Sequence, residues 1–421
     1  MSKHKIQLAF AALFATINFS YAQFTFSGEV RPRAEYRDGF KTFNSSQTDA
    51  AFFIEQRTRL IASYKYEKVK FKLSLQDVRF WGGTSQIYKS DNALINFNEA
   101  WASYDFGGGS SIKLGRQELD YDNARILGNL AWAQQSRSHD LVKYEYEGDD
   151  GFKLHAGVAF NQETVNSPAE PARLFGTFYS GVNNYKTMQF AWAHKKYETG
   201  KISFLFLSNG LQNADSTVQF SYTSGTFWNQ SLGSLKLTFE GYYQFGEARD
   251  VDVNAYMLAL ALGIPLGDHN LTIGGDYLSG TTPGDTENNA FAPLFGTNHK
   301  FYGLMDYFFV GNGHGNIGLT DIYLKTNWKL GDKSNLLIHL HQFLSPVDVP
   351  DETGGTRSAE LAREIDLVFN HKMAQGVNLK VGFSALDGTE TLGAFKSGDP
   401  SSLNYWGWTM ITFKPTFIKE K

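Results

Sequence analysis

Beyond the first 22 residues, polar and hydrophobic residues alternate with a period of two along most of the chain. In the segment 24–36, glutamates and arginines occupy one face, and hydrophobic or small residues occupy the other. The same alternation recurs at 52–64, 321–328, 336–341, 364–370 and 379–384. Such alternation is typical of β-strands with one polar and one apolar face, so the chain is predicted to be all-β.

The length of these segments indicates which β architecture they form. Many of them run for about 10–14 residues, which suits tilted strands that cross a bilayer. A soluble β-sandwich would instead show breaks about every 8–12 residues. Because a bilayer does not tolerate open sheet edges, membrane-spanning strands must close on themselves. The prediction is therefore a transmembrane antiparallel β-barrel.

The connections between the segments alternate in length. Short turns rich in glycine and aspartate are predicted at 67–68, 107–109, 148–150, 198–200, 232–233, 267–269, 331–333 and 374–376. Longer loops are predicted at 38–50, 81–93, 120–137, 161–184, 208–216, 246–252, 280–315, 345–359 and 387–402. Short periplasmic turns and long extracellular loops are typical of outer-membrane barrels. These connections predict about 18 strands, with 16 as the next alternative.

The N-terminus has the pattern of a secretory signal peptide. Lys3 and Lys5 precede an apolar run at 8–19, and a small residue, Ala22, follows at the predicted cleavage site. The run is too short to span a bilayer, for which about 20 residues are needed. We therefore expect residues 1–22 to be cleaved and residues 23–421 to form a single barrel domain.

Composition excludes several classes of protein. The 421 residues include 15% aromatic and 19% charged residues, carry a net charge of −4 and contain no cysteine. No apolar run is long enough for a helical membrane protein, and the aromatic content excludes disorder. Without cysteine there are no disulfides, thiolate metal sites or thiol nucleophiles. The near-neutral charge argues against a nucleic-acid partner.

Nine of the 13 arginines lie before residue 140, interleaved with acidic residues. The candidate pore residues are Arg31, Arg33, Arg57, Arg59, Arg79, Arg116, Arg125 and Arg137, with the acids Glu29, Glu35, Glu55, Asp77, Glu99 and Glu118. The guanidinium group is a planar fork of donors that suits carboxylates, so these arginines could pass an anionic sugar chain along a pore. The alternative is an internal salt-bridge ladder that holds the strands together, and both can be true of the same residues.

Several stretches resemble the alginate export family. They are 114–122 (LGRQELDYD), 125–128 (RILG) and 132–134 (WAQ) with Arg137, and also 29–35, 57–60, 76–79, 98–101, 298–303 and 305–308. The resemblance implies a monomeric 18-stranded barrel of the cell outer membrane that is not an enzyme. It also implies an Arg-lined pore for an anionic polysaccharide or oligosaccharide such as alginate, with periplasmic secretion or uptake components as further partners.

The exporters of this family use a longer periplasmic turn as part of their gate, whereas every periplasmic turn predicted here is short. This difference favours a channel that is open or plugged by its outer loops. Two alternative functions remain open, a general outer-membrane porin and a polysaccharide-degrading β enzyme, either secreted or in the outer membrane.

Three further patterns suggest other chemistry. The stretch 313–318 matches G-x-G-x-x-G, but a strand-like segment follows it where a dinucleotide site needs a helix, so a loop tip is favoured. His339 and His341 share a strand face and could bind a metal, although no acid is adjacent in sequence and a plain wall position is favoured. Calcium binding is the alternative to solvated loop charge for Asp285, Glu287, Asp348, Asp351 and Glu352. We therefore expect no cofactor and no metal.

Overall fold

The computed structural model of the protein describes residues 22–84, 95–162, 179 and 184–420. The predicted signal peptide lies almost wholly outside the described residues, as do most of the predicted loops at 81–93 and 161–184. The described chain forms one closed antiparallel β-barrel of 18 strands. The predicted fold class and strand number are confirmed.

Each strand pairs with the next one in the chain all the way around the barrel. The strands are β1 Gln23–Asp38, β2 Ala51–Tyr66, β3 Val69–Phe80, β4 Asn96–Gly107, β5 Ser110–Gln117, β6 His139–Glu147, β7 Phe152–Phe160, β8 Thr187–Tyr197, β9 Gly200–Gln212, β10 Val218–Leu232, β11 Leu235–Ala248, β12 Val251–Leu266, β13 His269–Leu278, β14 Leu319–Gly331, β15 Ser334–Leu344, β16 Glu360–Ala374, β17 Val377–Gly388 and β18 Asn404–Phe413. A short segment, β19 Thr416–Lys419, continues the last strand.

The barrel closes between its first and last strands, because β1 pairs with β2 on one side and with β18 on the other. Lys414 and Pro415 interrupt the last strand, and β19 then resumes the pairing with β1. Proline cannot donate a ladder hydrogen bond, which explains the break. The Gly28 amide donates to the Pro415 carbonyl at 3.0 Å, so the seam stays joined at the interruption.

Side chains alternate between an outward apolar face and a lumenal polar face. Val30 and Leu60 are 39% and 46% exposed on the outside, whereas Arg31 and Arg57 are only 6% and 4% exposed inside. The pairing of β1 with β2 contains no bulge, so this assignment holds along both strands. An arginine facing lipid at the bilayer midplane would cost about 2–4 kcal/mol, which explains why these charges face inward.

The connections largely follow the glycine and aspartate pattern of the sequence. All eight short turns lie at the predicted positions, and two of the predicted long loops are shorter than expected. The loop after β9 covers only 213–217, and Arg249 and Asp250 alone connect β11 to β12. Gly246, a turn-type residue by sequence, lies inside β11 at a φ of 101°, a kink that glycine tolerates best.

Two long loops from the extracellular end fold back into the lumen. We call 118–138, between β5 and β6, the first plug loop, and 279–318, between β13 and β14, the second plug loop. The stretch 111–140 contains no helix, as predicted, and the second loop contains one 3₁₀ turn, Asn298–Lys300. A short helix, α1 Glu390–Gly393, lies in the loop before β18. No helix in the described part of the chain is long and apolar enough to span a membrane.

Candidate functional site

The arginines of β1 and β2 form a lumenal wall that holds the first plug loop. Arg31 donates from Nη1 to the Ala131 carbonyl at 2.7 Å and from Nη2 to the Trp132 carbonyl at 3.0 Å. Its Nε and Nη2 also donate to the side-chain oxygen of Gln134 at 3.1 and 2.9 Å. A hydrogen bond from a charged donor contributes about 1.5–3 kcal/mol, so this one residue holds the loop firmly.

The neighbouring arginines of this wall have the same role. Arg57 Nη1 donates to Ser136 Oγ at 3.1 Å, and Arg59 Nη2 reaches the same oxygen at 2.8 Å. Arg33 donates to the Trp132 carbonyl at 3.1 Å, and its guanidinium carbon lies 4.5 Å from the centroid of the Trp132 ring. The wall therefore binds backbone carbonyls of the loop by hydrogen bonds, and Arg33 makes a cation–π contact with the face of the Trp132 ring.

Three of the predicted acids neutralise this wall. Glu29 accepts from Arg57 Nε at 2.7 Å, Glu35 from Arg33 Nε at 2.7 Å, and Glu55 from Arg33 Nη2 at 2.6 Å. Two further predicted acids lie inside the barrel and make no direct ion pair with these arginines in the described part of the chain. Glu99 pairs with Lys72, and Glu118 accepts hydrogen bonds from Asn98 and Asn129. Most of the arginine charge is therefore balanced within the wall.

The tip of the first plug loop is anchored on the opposite side of the barrel. Arg125 is 3% exposed and donates from Nη1 to Asp276 Oδ2 at 2.7 Å and to the Tyr302 hydroxyl at 3.0 Å. Its Nη2 lies 3.3 Å from Glu240 Oε1. Burial alone lowers the pKa of Arg125, but Asp276 and the other two neighbours raise it well above the ordinary value. This loop thus spans the lumen from β1 and β2 to β11 and β13.

The two plug loops are joined to each other. Leu127 forms a parallel bridge with Phe295, and the Thr297 amide donates to the Ala124 carbonyl at 2.8 Å. Trp132 of the first loop also stacks on a ring of the second, the imidazole of His299, with centroids 4.8 Å apart. Backbone pairing and ring stacking together make the loops one structure, so displacing either loop requires breaking contacts with the other.

The second plug loop is attached to the far wall and to another loop. The Met305 amide donates to Glu364 of β16 at 2.8 Å, and the Tyr307 hydroxyl lies 2.7 Å from the Gly39 and Thr42 carbonyls. Phe308 is fully buried, and its ring lies 4.8 Å from that of Phe343 on β15. The lumen is thus filled by an apolar core that the two loops build, and this core narrows the passage.

Three predicted pore residues lie on the outward face instead. Asp77 pairs across the strands with Thr58, and Arg79 pairs with Gln56; these partners share the outward face of β2 with Leu60. The polarity of β3 reverses near its extracellular end, where the inward Phe80 packs against Phe53 at 5.5 Å. Charges are tolerated on the outward face there, because the strand end lies near water and lipid headgroups, so a charge-based assignment of faces fails.

Arg116 is the third outward residue. It pairs with the outward Ala100 of β4, and its Nη1 binds Asp140 of β6 at 2.9 Å. Both side chains of this pair are substantially exposed, at 42% and 60%. Arg116 is the last outward position of the short strand β5, at the barrel rim. The prediction that Asp77 and Arg79 face into the pore is therefore wrong, whereas Arg116 and Asp140 lie at the rim and border the same cavity of about 860 Å³ as Arg137.

Arg137 has a different environment from the other arginines. It borders two cavities, of about 860 Å³ and about 410 Å³, on the extracellular side of the plug loops. Its Nη1 donates to the Gly296 carbonyl at 3.0 Å, and no carboxylate of the described residues lies within ion-pair distance. Burial lowers the pKa of Arg137 to about 10, which leaves it charged at neutral pH.

The sequence pattern did not reveal the residues that receive the plug. Glu240 and Asp276 are isolated acids on β11 and β13, far in sequence from Arg125. Their only signal was an inward position in an alternating strand, which many polar residues share. The Gly-rich stretch 313–318 is indeed a loop, followed by strand β14. Asp351, a calcium candidate, accepts hydrogen bonds from the amides of its own turn.

A closed barrel with an outward apolar face, a polar lumen and inward-folded loops defines an outer-membrane channel of the porin type. The sequence matches the alginate export family over residues 22–406, so the chain belongs to that family. A search of curated protein sequences gives no significant match.

Known structures of outer-membrane channels share the fold. OccAB4 of Acinetobacter baumannii superposes with a TM-score of 0.64 and 11% identity, covering 95% of this chain and 100% of that one. OccK2 (OpdF) of Pseudomonas aeruginosa, in complex with glucuronate, gives 0.61 and 13%, covering 94% and 97%. OpdK of the same organism, with vanillate, gives 0.60 and 9%, covering 93% and 99%. At such low identity these likenesses concern the fold alone.

Proposed function

We propose that this outer-membrane channel passes anionic polysaccharides or oligosaccharides, such as alginate, and that it does so without catalysing a reaction. The observation that carries the proposal is Arg137, whose guanidinium borders both extracellular cavities with no carboxylate partner among the described residues. A fixed, uncompensated cation in a narrow entrance attracts anions more than the net charge of the whole chain suggests. Membership of the alginate export family supports the same substrate class.

The arginine wall contributes to this function in a second way. The four arginines of the wall face the lumen, and their guanidinium groups donate hydrogen bonds to the first plug loop and to acidic side chains. In the conformation described, they hold the plug. When the loop moves, the same guanidinium groups become available to the carboxylates of a passing chain. The two interpretations of the sequence pattern, pore lining and internal ladder, then describe two states of one set of residues.

Two alternatives predict different properties. A secreted two-sheet enzyme would have a packed core between sheets, whereas this chain forms a closed barrel with an outward apolar face. A general porin would have the same barrel without a preference for anionic sugars. Vanillate and glucuronate, the ligands of two channels with this fold, are both carboxylates, which is in keeping with the anionic substrate. We expect the channel to work as a monomer, together with periplasmic secretion or uptake components.

The test is ion selectivity in a planar bilayer under a salt gradient. The wild-type channel should show a reversal potential of the anion-selective sign, and oligouronates added on the extracellular side should reduce the current. Arg137→Gln should lower the anion preference. Arg363→Gln, which changes an exposed arginine of β16 paired with Glu360, is the matched control and should leave the preference unchanged. A cation-selective wild-type channel would refute the anionic substrate and leave a general porin.

A further inference from the structure

Two histidines and an aspartate converge on the lumenal wall beside Glu364 and Phe343, the residues of β16 and β15 that hold the second plug loop. His339 and His341 lie on the inward face of β15, and Asp366 lies opposite His339 on β16. Each of the three residues has a potential ligand atom that lies within 4.8 Å of those of the other two. His341 Nε2 lies 3.9 Å from Asp366 Oδ2. The fold thus supplies the acid that the sequence around the histidines lacks.

The other atoms of these side chains are held by neighbours. His341 Nδ1 lies 2.9 Å from both carboxylate oxygens of Asp321 on β14, so it donates its proton there and leaves Nε2 with a free lone pair. Ser384 Oγ donates to Asp366 Oδ1 at 2.5 Å. The second oxygen, Asp366 Oδ2, accepts no hydrogen bond from an amide, a hydroxyl group or a cation although the residue is only 1% exposed, and its other neighbour is the buried carboxyl group of Glu364. A buried carboxylate oxygen without such a donor requires an explanation.

We propose that His339, His341 and Asp366 bind a divalent transition metal ion such as Zn²⁺. Imidazole nitrogens and a carboxylate oxygen are ligands that Zn²⁺ accepts, and three protein ligands leave a fourth position for a water molecule. The Asp321–His341 pair matches the carboxylate–histidine arrangement that orients metal ligands in proteins. Half-buried His339 is the ligand with room to move, and a small rotation of its ring closes the triad around the ion.

The positive charge of a nearby lysine should weaken the binding of a metal ion at this site. Lys325 of β14 is the cross-strand neighbour of His339, and its Nζ lies 4.4 Å from the centroid of the Tyr323 ring. A second cation close to the triad lowers its affinity for a metal ion. We therefore expect a site weaker than a structural zinc site, and we expect replacement of Lys325 by an uncharged residue to strengthen it. The site does not depend on anion conduction.

The test measures Zn²⁺ binding to the full-length, untagged protein in detergent after treatment with a chelator. Calorimetry should show one ion per chain, and Co²⁺ should give a visible spectrum with nitrogen ligation. His339→Ala and Asp366→Asn should each weaken binding by about tenfold or more, and Asp321→Asn by about 10–100-fold. Lys325→Met should strengthen binding. His371→Ala, which changes an outward-facing histidine of β16 bound to Ser334, is the control and should bind normally.

Each variant is first shown to be folded by its heat-modifiable electrophoretic mobility, so that a loss of binding reports on the site. A wild-type protein that binds no stoichiometric Zn²⁺ would overturn the proposal. Folded His339→Ala and Asp366→Asn proteins that bind as tightly as the wild type would also overturn it, because the ion would then lie elsewhere. Ion selectivity is measured separately, so this proposal and the anionic substrate can fail independently.

Discussion

Arg125 Nη1 lies 2.7 Å from Asp276 Oδ2, and this contact fastens the tip of a loop that starts at β5 to β13 across the lumen. Both side chains are almost completely buried, and Glu240 is the second acid on the same guanidinium. Removal of the cation would leave two buried carboxylates without a partner, which strongly destabilises the folded state. The position of the first plug loop therefore depends on a charge whose partners belong to distant strands.

Arg125→Met should release the first plug loop. The substitution leaves Asp276 and Glu240 buried without a cation, and removal of one partner from a buried pair costs about 3–5 kcal/mol. We expect a larger and noisier single-channel conductance in planar bilayers and a lower temperature for the heat-modifiable mobility shift. Arg363→Met, on the outer surface, is the control. Unchanged conductance would contradict the role of this anchor.

Gln134→Ala should free the guanidinium of Arg31. The amide oxygen of Gln134 accepts from both Arg31 Nε and Nη2, so its loss weakens the hold on the loop and exposes a lumenal cation. We expect increased conductance together with a stronger anion preference in reversal-potential measurements. Gln135→Ala is a closely matched control. Gln135 accepts a hydrogen bond from the Gln76 side chain through its backbone carbonyl, which the substitution retains. Equal behaviour of the two variants would disprove this link.

Arg116→Gln should change ion selectivity less than Arg137→Gln does. Arg116 borders the cavity at the rim, but it is exposed to water and paired with Asp140, and an exposed ion pair contributes only about 0–1 kcal/mol. The variant should therefore also fold and insert normally. The measurement is the reversal potential beside that of Arg137→Gln, which should differ from it. A shift as large as that of Arg137→Gln would mean that Asp140 does not balance the charge of Arg116 in the membrane.

The second plug loop should loosen at acid pH because of His314. Burial and the neighbouring charge of Lys396 lower the pKa of His314 to about 4, and Phe308 and Phe309 cover the ring edge-on. An undocked loop would have the ordinary histidine pKa of about 6.5, so it binds more protons than the docked loop between those values. Docking is therefore most stable above pH 6.5 and weakens as the pH falls, by about 2 kcal/mol at pH 5.

The corresponding measurement is channel conductance at pH 7.5 and pH 5 for the wild type and for His314→Gln. The wild type should open further at the lower pH, and the variant should respond less. Burial also raises the pKa of Asp120 and Asp122 in the first plug loop, and these carboxyls titrate alike in both proteins. The difference between the two proteins therefore reports on His314, and identical pH responses would exclude it.

The sequence by itself determined the barrel. Alternation with a period of two, the eight Gly- and Asp-rich turns and the loops between them specified the strand order and number, because in a meander each strand pairs with its neighbour in the chain. It also determined that Arg31, Arg33, Arg57 and Arg59 face inward. These properties are local, since the face of a residue and the sharpness of a turn depend on a few adjacent residues.

Only the tertiary structure decided what fills the barrel and which charges remain uncompensated. Arg125 meets Asp276 because 118–138 crosses the lumen, and no period or spacing in the sequence records that path. Arg79 lies on the outward face of β3 near the extracellular end of the strand. Charged residues are tolerated on that face there, because the strand end lies near water and not in the hydrocarbon core of the membrane. Arg137 has no carboxylate partner among the described residues. Whether a guanidinium group has a counter-ion depends on residues that are distant in sequence, and loop packing decides whether they meet.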